Sequence, residues 1–139
     1  MPPYAERMYS IPTGPQWLDY INDQITFYSS LDAVIQNKVV CRIFPNEYGW
    51  NERGRLLKEF PKLKFDERKK SINKERVTSS LIIETCNQTT FLESLFGNYP
   101  TVIFWNKIKW EISDYAQPYI DELFNANILF YDPHKAAMH

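Results

Sequence analysis

Glycine is scarce in this chain, four residues in 139, and no two of them stand in a Gly-x-Gly-x-x-Gly spacing. That removes the fingerprint of a nicotinamide or flavin dinucleotide site, where closely set glycines let the backbone approach a pyrophosphate. The P-loop, the Gly-x-Ser-x-Gly elbow and the glycine-rich first turn of a methyltransferase are missing too. Cysteine is scarcer still. Cys41 and Cys86 build no disulfide framework and read as buried thiols of a reducing compartment. There are two histidines and no His/Cys cluster, so a metal site would have to be all-carboxylate, and no such constellation stands out. No metal and no cofactor is expected.

An excess of one charge is also lacking. Sixteen basic and 17 acidic residues leave a net charge of −1, so no global field recruits nucleic acid or anionic lipid. No apolar run approaches the roughly 18 residues of a membrane span, and no signal-peptide core opens the chain. What remains is a globular chain, 44% hydrophobic and long enough for one domain with a core. Aromatics reach 16%, a level that serves cores and interfaces more often than sugar or base stacking.

Residues 1–15 carry Pro2, Pro3, Pro12 and Pro15 and read as irregular, with Pro15 suited to a helix's first turn. Trp17, Leu18, Ile21, Ile25, Phe27, Tyr28, Leu31, Val34 and Ile35 then recur at three-to-four-residue spacing. That predicts a helix to about residue 37, with a break near Ser29 and Ser30. Val39 to Phe44 is a mostly buried strand with Arg42 as its odd member, ended by Pro45. A turn-rich loop, Asn46-Glu47-Tyr48-Gly49-Trp50, follows. A polar helix over 52–60, a short strand at 62–65 ended by Asp66, and a charged, solvated helix in 67–76 come next.

The centre of the chain is residues 81–105. Leu81, Ile82 and Ile83 form a strand; a polar string runs from Thr85 to Thr90; Leu92, Leu95 and Phe96 follow at helical spacing. Gly97, Asn98 and Pro100 stop that helix, and Val102-Ile103-Phe104 is a second buried strand. A helix around 118–126, with Tyr119, Ile120, Leu123 and Phe124 on its buried face, leads to a strand at 128–130. A closing helix starts at Asp132-Pro133. Because the chain stops in the first turns of that helix, it is expected to be a piece of something longer.

Alternation of this kind demands a mainly parallel sheet of about five strands with helices on both faces. The expected fold is a Rossmann-like three-layer α/β/α domain over 38–139, with segment 1–37 packing on it.

In such a sheet the ligand site lies beyond the strands' carboxyl ends. Three polar-aromatic loops fall there, 46–50, 85–90 and 105–110. Asn87, Thr89 and Thr90 can donate to phosphate oxygens at a helix N-terminus, where free N–H groups and the dipole favour an anion. Glu93, one turn further, can accept from a sugar hydroxyl. Arg42, near the end of its strand, can face a diphosphate or a carboxylate. Each residue has a plainer reading. Thr90 and Glu93 stand at capping-box spacing, Arg42 could pair with Glu84 or Glu47, Trp105 and Trp110 could be core, and His134 reads as solvent-facing.

The string Thr85-Cys86-Asn87-Gln88-Thr89-Thr90-Phe91-Leu92-Glu93-Ser94-Leu95, with Asn98-Tyr99-Pro100-Thr101-Val102-Ile103-Phe104-Trp105, resembles a family of bacterial surface-carbohydrate transferases. The likeness extends to Gly14-Pro15-Gln16-Trp17-Leu18-Asp19-Tyr20 and to the Arg42 strand with Tyr48-Gly49-Trp50. Downstream it takes in Trp110-Glu111, Ala116-Gln117-Pro118-Tyr119, Asn127-Ile128-Leu129-Phe130 and Asp132-Pro133. The family pattern has Tyr at Cys86 and Ser at Gln88; neither change removes a proposed ligand.

The resemblance implies the carboxyl-terminal, nucleotide-sugar-binding half of a two-domain glycosyltransferase-B enzyme of cell-surface polysaccharide biosynthesis. It implies phosphate contacts from Asn87, Thr89 and Thr90, ribose contact from Glu93, and Arg42 as the catalytic cation for the diphosphate leaving group, without metal. Tyr48, Gly49 and Trp110 complete the expected substrate-binding set. The partners implied are a nucleotide-sugar donor, a carbohydrate or lipid-linked acceptor and a missing N-terminal domain. The chain alone is expected to be inactive, and cytoplasmic, either free or peripheral to the inner membrane. Two alternatives stay open: a non-catalytic nucleotide- or protein-binding domain, and a nucleotide-sugar epimerase-like domain.

Overall fold

A computed structural model of the chain describes residues 14–45 and 49–139. The proline-rich stretch up to residue 13 and the three residues from Asn46 to Tyr48 lie outside the described residues.

Helix α1 (Pro15–Ser30) opens on a proline in its first turn, where a missing N–H removes no helical hydrogen bond. It ends where the paired serines suggested a break. Leu31 then extends, and Asp32 caps the short α2 (Ala33–Gln36) by accepting from the N–H of Ile35. From there strands and helices alternate: β1 (Val40–Cys41), α3 (Glu52–Glu59), β2 (Lys64–Phe65), α4 (Ile72–Thr78), β3 (Ile82–Glu84), α5 (Thr89–Phe96), β4 (Thr101–Phe104), α6 (Gln117–Asn125), β5 (Leu129–Phe130) and α7 (Pro133–Met138).

Every ladder among the described residues is parallel. β1 pairs with β2, Val40 opposite Lys64 and Cys41 opposite Phe65. β4 lies between β3 and β5, with Ile83 opposite Val102 and Ile103 opposite Leu129. Parallel neighbours need a crossover, and a helix fills each connection, as the alternation predicted. The strands are shorter than their apolar runs because the ladder holds two to four residues of each.

β4 shows why there are three layers. Its side chains alternate between faces. Val102 and Phe104 pack on Phe27 of α1 and Ala136 of α7, with the Phe27 and Phe104 rings stacked at 4.8 Å. Ile103 and Trp105 point the other way, to Phe91 of α5, Ile120 of α6 and Trp110. The fold is a Rossmann-like α/β domain with helices on both faces of parallel strands.

Two helix faces are rotated from their expected positions. On α5 the buried residues are Phe91 and Ser94, whereas Leu92 is 56% and Phe96 is 96% exposed. Ser94 faces β3, where its hydroxyl bonds Glu84; a hydroxyl that meets a buried carboxylate displaces the apolar stripe from the strand side. On α6, Ile120 is buried and Leu123 half-buried, but Tyr119 and Phe124 face outward. Gly97, which ends α5, has an ordinary φ of −76°. A Cβ there would lie 2.4 Å from the Tyr99 ring, so a larger residue would have to displace that ring.

Candidate site at the carboxyl edge of the strands

β3 and β4 are paired in parallel, so their carboxyl ends share one edge, and contacts from the first turns of α1 reach the loops after β1, β3 and β4. Trp17 stacks on Trp50 at 5.1 Å. The Tyr20 hydroxyl lies 2.9 Å from Oγ1 of Thr85. Lys109 Nζ reaches Asp19 at 2.9 Å and the carbonyl of Gln16 at 3.4 Å. One helix thus braces the loops after β1, β3 and β4. Sequence reading gave α1 no such role; its only signal was a set of polar and aromatic residues, Gln16, Trp17, Asp19 and Tyr20, along the first turns.

Behind these loops Tyr20, Cys41 and Cys86 are half-buried. Burial pushes the thiols of Cys41 and Cys86 up to about 12, and nearby carboxylates add to it, Glu52 for Cys41, and Glu84 then Glu52 for Cys86. Burial likewise raises the Tyr20 phenol, with Cys86 adding to it and the bond from Thr85 opposing it. Glu52 thus acts on both thiols, and both thiols act on the Tyr20 phenol.

The loop after β3 opens outward. An open hollow of about 380 Å³ is lined by Asn87, Gln88, Thr89, Thr90, Phe91 and Leu92. α5 begins at Thr89 with Gln88 as its N-cap and no side-chain cap bond, so the N–H groups of Thr89 and Thr90 lack intrahelical acceptors, while that of Phe91 donates to the carbonyl of Gln88 at 3.3 Å. Among the described residues, no hydrogen bond engages the side chains of Asn87, Gln88, Thr89 or Thr90. The capping-box reading fails for a positional reason. With Gln88 as the cap, Thr90 is the second helical residue and Glu93 the fifth, too deep to reach back.

Glu93 turns elsewhere. Its Oε2 accepts a 2.8 Å bond from Nη1 of Arg76. Arg76 is 3% exposed although it sits in the charged run expected to be solvated. It also donates to Asn73 at 3.0 Å and to the carbonyl of Thr90 at 2.9 Å, and lies 3.6 Å from Glu84. Glu84 in turn accepts from Ser94 at 2.9 Å. Buried charges need such partners.

Arg42 follows β1 and pairs through Nη1 with Asp66, which follows β2. Glu84 is not the partner: parallel pairing sets residues 42 and 66 side by side, and Glu84 lies by Arg76; Glu47 lies outside the described residues. Gly49 is exposed with φ 86°, a left-handed value. Tyr48 lies outside the described residues. Trp110 is in the core with Phe91 and Trp105; of the expected set, Asn87, Thr89 and Thr90 line the hollow, while Glu93, Arg42, Gly49 and Trp110 do not. Trp105 is core as well, and His134 is exposed.

No group of three or more metal-binding side chains comes together among the described residues. No described helix is long and apolar enough to cross a membrane.

Parallel strands with helices on both faces and a polar hollow at a helix N-terminus define a Rossmann-like α/β domain. The model of the LIC12162 family transferases matches residues 1–139, and the chain belongs to that family. Neither curated proteins nor solved structures yielded a match to it.

Proposed function

We propose that this chain is the nucleotide-sugar donor-binding domain, the carboxyl-terminal half, of a glycosyltransferase-B enzyme in cell-surface polysaccharide biosynthesis. Membership of a transferase family supports a group-transfer role. The observation that carries the reading is the hollow at the start of α5, where uncommitted donors of Asn87, Thr89 and Thr90 surround free helical N–H groups. A diphosphate fits that chemistry, since donors and dipole act on the same anion. Glu93, on the same face one turn on, is the acceptor for ribose hydroxyls. Arg42, with the loop at Tyr48 and Gly49, supplies charge for the departing diphosphate. In the reaction, the bond between the sugar's anomeric carbon and the phosphate oxygen breaks and a bond to the acceptor oxygen forms. The acceptor's proton passes to a base on the missing amino-terminal half, so the chain alone binds without turning over.

Isothermal titration with uridine, cytidine and guanosine diphosphates and with the bare nucleosides tests this. A diphosphate that binds at least roughly tenfold tighter than its nucleoside supports the reading. Equal, absent or nucleoside-only binding contradicts it.

A further inference from the structure

Resting on that reading of the site, we propose that Arg76 is a positioning residue: it holds Glu93 so that one carboxylate oxygen faces the ligand's ribose hydroxyls. The side chain comes from α4, outside the hollow. It is 3% exposed, and its Nε is buried without a partner. Charge balance alone does not explain where it points. Glu84, itself buried, already lies 3.6 Å away and could neutralise it. The closer bonds go instead to α5, 2.8 Å to Glu93 and 2.9 Å to the carbonyl of Thr90.

A guanidinium is a rigid planar fork, so holding both points fixes the first turns of α5 relative to α4. Those turns carry the residues that line the hollow. Arg76 occupies Oε2 of Glu93, and among the described residues no bond engages Oε1. The Glu93 side chain remains 52% exposed. Its free oxygen thus stands at the surface, one turn from Thr89 and Thr90 on the same helix face, already oriented. A long side chain held in one rotamer before binding loses less entropy when it accepts a hydroxyl.

The test compares ribose and 2′,3′-dideoxyribose forms of uridine, cytidine and guanosine diphosphate. They are titrated against the wild-type chain, Arg76→Lys, Arg76→Met, Glu93→Gln and the Arg76→Met/Glu93→Gln double variant, each checked for folding by circular dichroism. The expected wild-type preference for ribose is roughly tenfold, the value of a hydrogen bond to a charged group. Folded Arg76 variants lose most of that preference, while Glu93→Gln loses it regardless of residue 76, a coupling that a merely structural role would not produce. Arg76→Lys retains the charge without the fork, and carries the test if Arg76→Met does not fold. A ribose preference unchanged in a folded Arg76 variant, or no preference in the wild type, overturns the assignment while leaving diphosphate binding intact. Failure of the wild type to bind any of the diphosphates overturns the site reading, and this inference with it.

Discussion

The hydroxyl of Tyr20 on α1 sits 2.9 Å from Oγ1 of Thr85, the first residue beyond β3. This contact joins positions 65 residues apart in sequence and fixes the root of the loop that leads to α5. With Trp17 on Trp50 and Lys109 on Asp19, it makes α1 the brace of the loops after β1, β3 and β4.

Tyr20→Phe removes the bond and leaves the Thr85 hydroxyl without it. A loss of about 1 kcal/mol in unfolding free energy is expected, the usual net value of one such bond. Urea denaturation of the two proteins measures it, and equal midpoints would show that the contact contributes nothing. The phenol is also raised above the ordinary value of 10.0, chiefly by burial. The folded state therefore keeps that proton at pH values where the unfolded chain releases it, and stability falls as pH rises above about 10. Absorbance titration should show a tyrosine that ionises only with unfolding.

The two thiols obey the same sign. Both are pushed from 9.0 up to about 12, so between those values the folded chain holds protons that the unfolded chain has lost. Stability contributed by the thiols is full below pH 9 and declines through the window. Their reactivity follows the thiolate fraction. At pH 8, iodoacetamide should label Cys41 and Cys86 slowly in the native protein and rapidly in urea. Rapid native labelling, read by mass spectrometry, would contradict their shielded placement.

Asp23 on α1 carries a half-buried carboxyl raised above 3.8, first by burial and then by Asp19 and Asp132, against the opposing pull of Lys109. A carboxyl that is raised on folding favours the folded state only when protonated. Its cost is absent below the unfolded pKa, grows as pH rises through the window up to the folded one, and is constant above it. Asp23→Asn removes that cost, so the variant should melt slightly higher than wild type at pH 7 and converge with it in acid. A lower melting temperature at pH 7 would mean that the attraction to Lys109 outweighs burial.

The order of elements was legible because short apolar runs alternate with helical periods and because Pro45, Asp66 and Pro100 punctuate them. The same alternation predicted that the ladders would be parallel. The inward turn of Arg76 was not legible. Within the charged run every residue looks equally solvated, and only the meeting of α4, β3 and α5 selects one for burial. Ser94 hid similarly between Leu92 and Leu95, since periodicity weighs apolar side chains and misses a hydroxyl that meets Glu84. The pairing of Arg42 needed strand register, which places Asp66 beside it and is absent from a one-dimensional pattern.

Amide chemical-shift mapping tests the ligand site most directly. The 15N-labelled chain is titrated with uridine, cytidine and guanosine diphosphates. The backbone N–H groups of Thr89 and Thr90 should shift most, with smaller changes at Asn87, Phe91 and Gly49, and Thr89→Pro should weaken the effect by removing one donor. Shifts that leave residues 87–91 untouched, or no shifts at all, would contradict a diphosphate site at the start of α5.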